Sequence, residues 1–250
     1  MSLSPVAPLT GRTALVTGAS RGIGAATALA LGRAGAHVVA VARTVGGLEE
    51  LDDAIRIAGG SATLVPLDVT DFAGLARLAG ALSERYGRLD ILIGNAAIAG
   101  PSSPLDHIPI KDWEEVMKVN VTANWQLICA MDAVLRRSDA GRAVFVTSGA
   151  AHNIHSYLGL YAASKAALEA VARTYAAETE RTAVRVNLFN PGPTRTRMRA
   201  QVMPGEDPMT LPPPEEVADK ILELCMPGFS ETGQIYDFPS RKLMSFRGPQ

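Results

Sequence analysis

Short apolar segments alternate with longer helix-like segments along this 250-residue chain. Most of the apolar segments are continuous runs, which is typical of parallel strands whose two faces are both covered by helices. The alternation favours an α/β fold with a doubly wound, mostly parallel sheet of seven strands and helices on both faces. The predicted strands are residues 13–17, 37–42, 62–67, 91–94, 143–147, 184–189 and 234–238.

The ends of the predicted strands carry residues that suit ligand binding. In an open parallel sheet, ligands bind beside the carboxyl ends of the strands. Residues at or just past those ends are Gly18, Arg43, Asp68, Asn95, Ser148 and Pro191. We therefore expect one binding site along this edge of the sheet.

Residues 17–24, Thr-Gly-Ala-Ser-Arg-Gly-Ile-Gly, lie between the first predicted strand and a helix-like segment. Glycines let a bound group approach the backbone, and a helix N-terminus offers unpaired N–H donors to an anion. The spacing differs from the dinucleotide pattern Gly-x-Gly-x-x-Gly. A phosphate-binding turn is favoured over a tight turn without a ligand, because the flanking strand and helix are both present.

Tyr161 and Lys165 stand four residues apart in a helix-favouring segment, so their side chains share one helix face. An ammonium group beside a phenol favours the phenolate, so Lys165 is expected to lower the pKa of Tyr161 from its usual ~10. Such a phenol can transfer a proton near neutral pH. Ser148 ends a predicted strand and can donate a hydrogen bond to a substrate carbonyl. A second phenol, Tyr157, has no lysine four residues further on.

The glycine turn and the Tyr-x-x-x-Lys motif, in this order and at this separation, resemble the short-chain dehydrogenase/reductase family over residues 9–238. Further family landmarks follow in sequence: Asp68-Val69, Asn95-Ala96, Asn120, Pro191-Gly192 and Thr196. The resemblance implies one Rossmann-type domain, residues 1–250, that combines dinucleotide binding with catalysis.

The resemblance also implies which residues form the site. The implied catalytic residues are Asn120, Ser148, Tyr161 and Lys165. The implied cofactor-binding residues are Gly18, Ser20, Arg21, Gly22, Ile23, Gly24, Arg43, Asp68, Val69, Asn95, Ala96, Tyr161, Lys165, Pro191, Gly192, Thr194 and Thr196. Lys165 would bind the nicotinamide ribose, and Asn120 would hold a helix irregularity and a water linked to Lys165. The alternative for each is an ordinary structural polar group.

The second predicted strand ends without a carboxylate, which bears on the choice of cofactor. Family members that use NAD carry an aspartate where this chain has Ala42. Arg43 follows and can pair with a 2′-phosphate, and Arg21 in the glycine turn could reach the same group. NADP is therefore favoured over NAD. The expected activity is hydride transfer between NADP(H) and a small carbonyl or alcohol substrate. The alternatives are an NAD-dependent alcohol dehydrogenase and a non-catalytic NADP(H)-binding sensor.

Composition argues against other classes of partner. The chain has 24 basic and 25 acidic residues, which gives no electrostatic case for a nucleic-acid or membrane partner. The first ten residues show no secretory signal, and no apolar run approaches the ~18 residues of a membrane span. Cys129 and Cys225 are expected to be buried free thiols, which favours a cytoplasmic location. His152 and His155 are expected to line the pocket or the surface, and no metal site is expected.

Three further expectations concern substrate and assembly. Residues 195–214 are expected to act as a substrate lid that orders when ligands bind, with a fixed surface loop as the alternative. Apolar residues before and after Ser148, among them Trp125, Leu127, Leu168 and Val171, predict a homodimer or homotetramer. The chain also somewhat resembles a bacterial oxoacyl-acyl-carrier-protein reductase-like subgroup, for which Arg195, Arg197 and Arg199 could contact an acidic carrier.

Overall fold

The computed structural model describes residues 7–246, which form one eight-stranded sheet in the order β3-β2-β1-β4-β5-β6-β7-β8. Neighbouring strands from β1 to β7 pair in parallel, and β8 pairs antiparallel with β7. The strands are β1 Thr13–Thr17, β2 His37–Ala42, β3 Ser61–Pro66, β4 Ile91–Gly94, β5 Arg142–Val146, β6 Arg185–Asn190, β7 Gln234–Asp237 and β8 Lys242–Ser245.

The doubly wound, mostly parallel sheet is confirmed, but the predicted number of seven strands is wrong by one. The additional strand, β8, occupies the edge of the sheet and is largely exposed. Its four residues, Lys-Leu-Met-Ser, do not form a buried apolar run, so the pattern that revealed the parallel strands was absent here.

Helices cover both faces of the sheet. They are α1 Gly22–Arg33, α2 Val45–Ile57, α3 Phe72–Tyr86, α4 Ile110–Met117, α5 Ala123–Leu135, α6 Gly159–Thr179, α7 Arg197–Val202 and α8 Pro214–Leu224. Successive β1 residues point to opposite faces. Val16 packs in a core with α1, α2 and α8, whereas Leu15 packs in a second core with α3, α5 and α6.

The order of the strands reverses at β1, which lies between β2 and β4. Crossovers to the two sides of such a point leave a crevice at the carboxyl ends of the strands, where ligands bind in open α/β sheets. Here the crevice opens between the glycine turn after β1 and the segment after β4.

Two expectations about burial are wrong. Cys225 is buried, but Cys129 is exposed on α5, because it lies on the helix face turned away from the sheet. Leu127 and Leu168 belong to the core of the subunit and are not available for a subunit interface, whereas Trp125 is 49% exposed. Within residues 7–246, no helix combines the length and hydropathy that a membrane crossing requires. Residues 1–6, which bear on the expectation about a secretory signal, lie outside the described range.

Candidate active site

At Gly18 and Gly24 the turn after β1 leaves no room for a Cβ. A Cβ added to Gly24 would lie 2.2 Å from the carbonyl oxygen of Gly18, and Gly18 and Gly22 have φ values of 66° and 58°. No side chain caps the N-terminus of α1, whose N-cap residue is Arg21. The first backbone N–H groups of α1 can therefore bind an anion. The turn fits the pyrophosphate of a dinucleotide.

Asn95 braces the glycine turn from the neighbouring strand. Its Nδ2 donates a hydrogen bond to the carbonyl oxygen of Thr17 at 2.9 Å, and its backbone N–H donates to Thr17 Oγ1 at 3.0 Å. Asn95 therefore fixes the shape of the turn with its side chain.

Other predicted cofactor-binding residues lie around the turn. Val69 and Ala96 line a narrow crevice beside Thr17. Ile23 packs against the core beneath α1, and the backbone of Ser20 contacts α2 at Gly47.

Arg43 lies just past the end of β2, and its exposed guanidinium is 3.6 Å from the carboxylate of Asp68. Asp68 Oδ1 also accepts hydrogen bonds from the backbone and the hydroxyl of Thr70, both at 2.8 Å. Burial acts to raise the pKa of Asp68, but the bonds from Thr70 and the charge of Arg43 outweigh it and hold the pKa below its usual value. The last residue of β2, Ala42, offers no acid to repel a 2′-phosphate.

Tyr161 and Lys165 lie on one face of α6, next to the end of β5. Lys165 Nζ donates a 2.8 Å hydrogen bond to the carbonyl oxygen of Val146 and lies 5.7 Å from the centre of the Tyr161 ring. Burial lowers the pKa of Lys165 to about 8, although the charge of Glu169 acts in the opposite direction. Ser148 lies beside the Tyr161 phenol, close enough to act on its pKa.

The expected lowering of the Tyr161 pKa by Lys165 is not found in the protein alone. Part of the Tyr161 side chain faces the pocket, but protein atoms surround the phenol closely enough that desolvation raises its pKa to about 12. The neighbouring Ser148 hydroxyl lowers the pKa but only partly offsets this effect. The ammonium group of Lys165 is directed to the backbone of β5 and contributes little to the phenol.

Asn120 occupies a π-helical turn, Lys118–Thr122, between α4 and α5. Its fully buried amide accepts a hydrogen bond from Ile98 N and donates to Ile98 O, both at 2.9 Å, and it also donates to Ser164 Oγ. The side chain therefore ties the segment after β4 to α6. The structure contains the helix irregularity that was predicted here.

The segment after β6 closes over the glycine turn. Gly192 has φ 62°, and buried Thr194 hydrogen-bonds back to Pro191 O and Gly192 O. Thr196 caps α7 by accepting a hydrogen bond from Arg199 N. A Cβ added to Gly22 would lie 3.4 Å from Cγ2 of Thr196, so the start of α7 faces the turn.

Residues 195–214 have more internal structure than the sequence predicted. Arg199 and Glu206 form a two-pronged ion pair, with Nη2 2.7 Å from Oε1. A surface pocket of about 130 Å³ is formed by the segment and is lined by Arg195, Met203 and Leu211, among others. The helix and the ion pair give the segment a defined shape of its own.

His152 contacts a carboxylate that the sequence reasoning missed. His152 Nε2 lies 2.9 Å from Oε2 of buried Glu169, on the helix that carries Tyr161 and Lys165. The available signal was spacing, since Glu169 is four residues past Lys165 and eight past Tyr161 on one helix face. Within the described residues, no group of three histidine, cysteine or acidic side chains is placed to hold a metal ion.

Comparisons with known proteins agree on one family. The short chain dehydrogenase family model matches residues 12–207. The oxidoreductase YciK of Escherichia coli K12 is 35% identical over 239 residues, covering 94% of each chain. A short chain dehydrogenase structure from Pseudomonas syringae is 39% identical, with a TM-score of 0.90, and the match covers 94% of this chain and 98% of the other. A short chain dehydrogenase from Shigella flexneri, solved in complex with NADP, is 34% identical, with a TM-score of 0.89 and coverage of 94% and 99%. This chain belongs to the short-chain dehydrogenase family.

Proposed function

We propose that this protein is an oxidoreductase that transfers hydride between NADP(H) and a carbonyl or secondary alcohol substrate. The observation that carries the proposal is the arrangement of Tyr161 and Lys165 on one helix face, with the hydroxyl of Ser148 beside the Tyr161 phenol. These groups lie at the same edge of the sheet as a glycine turn that fits a dinucleotide pyrophosphate. A Shigella relative that binds NADP and has the same fold adds support.

The residues that would hold the cofactor follow from their positions. The glycine turn and the N-terminus of α1 would bind the pyrophosphate. Arg43 would bind the 2′-phosphate, which Arg21 in the glycine turn could also reach, and Asp68 and Val69 would contact the adenine. Bound NADPH would supply the hydride for reduction of the substrate carbonyl, and NADP⁺ would accept it in the reverse direction.

The catalytic chemistry of the chain is the handling of a proton at the substrate oxygen. Ser148 would orient that oxygen with its hydroxyl. A phenol whose pKa is raised to about 12 is protonated at neutral pH, so Tyr161 can donate its proton as the oxygen gains charge. Lys165 would bind the nicotinamide ribose, and the Asn120 turn keeps α4 and α5 in register with α6.

The substrate is proposed only as a class. The pocket walls would come from the loop after Ser148 and from residues 195–214, which we propose as a lid that excludes water. A carrier-protein substrate has limited support in the proposed arginine cluster, because Arg199 is paired with Glu206. We also propose a homodimer or homotetramer, with Trp125 at its interface.

The test is a panel of carbonyl substrates with NADPH, followed by Tyr161→Phe on any substrate that reacts. Loss of the phenolic proton should lower kcat by about 10²–10⁴-fold while NADPH binding is kept, since the phenol acts in the transition state. Tyr157→Phe, which removes the neighbouring exposed phenol, is the matched control and should keep its activity. Comparable activity of Tyr161→Phe and the wild type would refute the proposed role.

A further inference from the structure

Three consecutive residues at the end of β5 lie against three residues spaced four apart on α6. Val146 O accepts from Lys165 Nζ at 2.8 Å, Thr147 Oγ1 donates to Glu169 Oε1 at 2.7 Å, and Ser148 lies beside the Tyr161 phenol. Positions i, i+4 and i+8 lie along one helix face. Two of these three pairs belong to the proposed catalytic group, and the third pair, Thr147 with Glu169, lies beside them.

The side chain of Glu169 is buried within the protein, which is unusual for a glutamate. Only 4% of Glu169 and 1% of Thr147 is exposed, so their hydrogen bond is shielded from water. A buried carboxyl is costly unless its oxygens are satisfied. Here Thr147 and His152 satisfy them, with the His152 Nε2 atom 3.1 Å from Oε1 and 2.9 Å from Oε2.

The two partners of Glu169 flank the loop that carries Ser148. Thr147 immediately precedes Ser148, and His152 follows the short turn Gly149–Ala151. A single carboxyl therefore holds both ends of this loop against α6. Inside the loop, Ser148 Oγ accepts from Ala150 N at 3.2 Å, and Gly149 N donates to Asn190 Oδ1 at 2.8 Å.

The C-terminal hairpin covers the outer side of His152. The ring of Phe246, just after β8, lies 6.0 Å from the His152 ring between centroids, and the Arg173 guanidinium lies 4.2 Å from the centre of the Phe246 ring. These contacts restrict the directions in which His152 can turn. They favour the orientation in which His152 bonds to Glu169.

We propose that Glu169 is a positioning residue for the reaction. Through Thr147 and His152 it fixes the Ser148 loop at the distance from Tyr161 and Lys165 that proton transfer to the substrate oxygen requires. Glu169 acts through these neighbours and does not itself contact the substrate. The inference rests on the proposed function, because it assigns Glu169 a part in the chemistry of Ser148 and Tyr161.

The sharpest test uses two substitutions at one position. Thr147→Val removes the hydroxyl at nearly constant shape, whereas Thr147→Ser keeps it. Since a small misplacement of reacting groups can cost about 10²-fold, we expect Thr147→Val to lower kcat by about tenfold or more and Thr147→Ser to stay within about threefold of wild type. The NADPH dissociation constant should change by less than about twofold in both, because the loop would act on the chemical step.

A second pair of substitutions probes the carboxyl directly. Glu169→Gln keeps an oxygen that can accept from Thr147, so it should retain more activity than Glu169→Ala. Hydrogen exchange in the absence of cofactor gives a readout independent of turnover. Amides of residues 148–153 should exchange faster in Thr147→Val than in wild type, and Thr147→Ser should restore their protection. If Glu169→Ala does not fold, the comparison of Thr147→Val with Thr147→Ser still tests the proposal.

Two results would overturn the inference. One is wild-type kcat together with wild-type exchange in Thr147→Val. The other is an equal loss of kcat in Thr147→Val and Thr147→Ser, which would show that the hydroxyl is not responsible. Failure of the proposed function is recognised separately, as turnover by Tyr161→Phe that matches the wild type.

Discussion

Arg43 Nη1 lies 3.6 Å from Asp68 Oδ2, beyond the carboxyl ends of β2 and β3. An exposed ion pair of this kind contributes little to stability. A 2′-phosphate can therefore replace Asp68 as the partner of the guanidinium with little loss of free energy. We expect NADPH to bind more tightly than NADH, and Arg43→Asp to weaken NADPH binding by about 10–100-fold with a much smaller effect on NADH. Titration of both cofactors measures this.

The control is Arg181→Asp, which makes the same charge change at an exposed arginine past the end of α6. It should leave the ratio of the two dissociation constants unchanged. Equal affinities of the wild type for NADPH and NADH would contradict the assignment of Arg43.

Gly24→Ala should abolish dinucleotide binding. The added Cβ would lie 2.2 Å from the Gly18 carbonyl oxygen and 2.5 Å from Asn95 Nδ2, so the turn or α1 must shift. Gly80→Ala is the matched control, because Gly80 lies inside α3 with open space around it. It should bind NADPH normally and raise the free energy of unfolding by about 0.5–1 kcal/mol. Normal NADPH binding by Gly24→Ala would show that the turn does not contact the cofactor.

Stability should depend on pH through Lys165, whose pKa falls from an ordinary 10.5 to about 8 on burial. The unfolded chain binds more protons between these values, so the stability due to this group is present above 10.5 and is lost as the pH falls through 8. The free energy of unfolding of the wild type minus that of Lys165→Met should rise by up to about 3 kcal/mol from about pH 7 to about pH 10.

Urea denaturation without cofactor at several pH values measures this difference. The subtraction removes the effect of Cys225, whose buried thiol has its pKa raised to about 12 and titrates in both proteins. A difference that stays flat or falls over this interval would refute the charge state assigned to Lys165.

Trp125 should contribute to a subunit interface. It is 49% exposed on α5, and exposed large aromatic residues are enriched at interfaces. Light scattering at micromolar concentration should give a dimer or a tetramer, and Trp125→Glu should lower the mass. Ile57→Glu, at an apolar residue of α2 that is 89% exposed, should leave the mass unchanged. A wild-type monomer would rule out the proposed assembly.

Residues 195–214 should become more protected from hydrogen exchange when cofactor and substrate bind. The ion pair of Arg199 with Glu206 already shapes this segment. The additional protection should therefore come from docking of the segment over the glycine turn. Glu206→Gln weakens that ion pair and should raise exchange of the segment in the free protein. Equal protection in the free and ternary forms would leave a fixed surface loop as the better description.

The sequence predicted the parallel strands well because most of them are apolar runs, and β1, β2 and β4, which are almost wholly buried, were predicted with their observed bounds. Boundaries of other strands were displaced by one residue, as at β3, because residues flanking a strand are also apolar. Strand β8 was missed because an exposed edge strand needs no such run.

The site was predicted less completely than the fold. Motifs located Tyr161, Lys165 and the glycine turn, since their chemistry depends on local spacing. They did not reveal that burial raises the pKa of Tyr161, which depends on how distant segments enclose the phenol. Glu169 was missed for a similar reason, because its partners Thr147 and His152 come from another segment.

The bond from Asn95 to Thr17 joins residues 78 apart in sequence. During synthesis, one edge of β1 must therefore remain unpaired until β4 has left the ribosome, and the glycine turn cannot take its final shape before then. A nucleotide that binds this turn recognises only chains in which both segments have met. Its binding should consequently shift the folding equilibrium of the whole domain toward the native state, and protease resistance in vivo should follow the cellular supply of the cofactor.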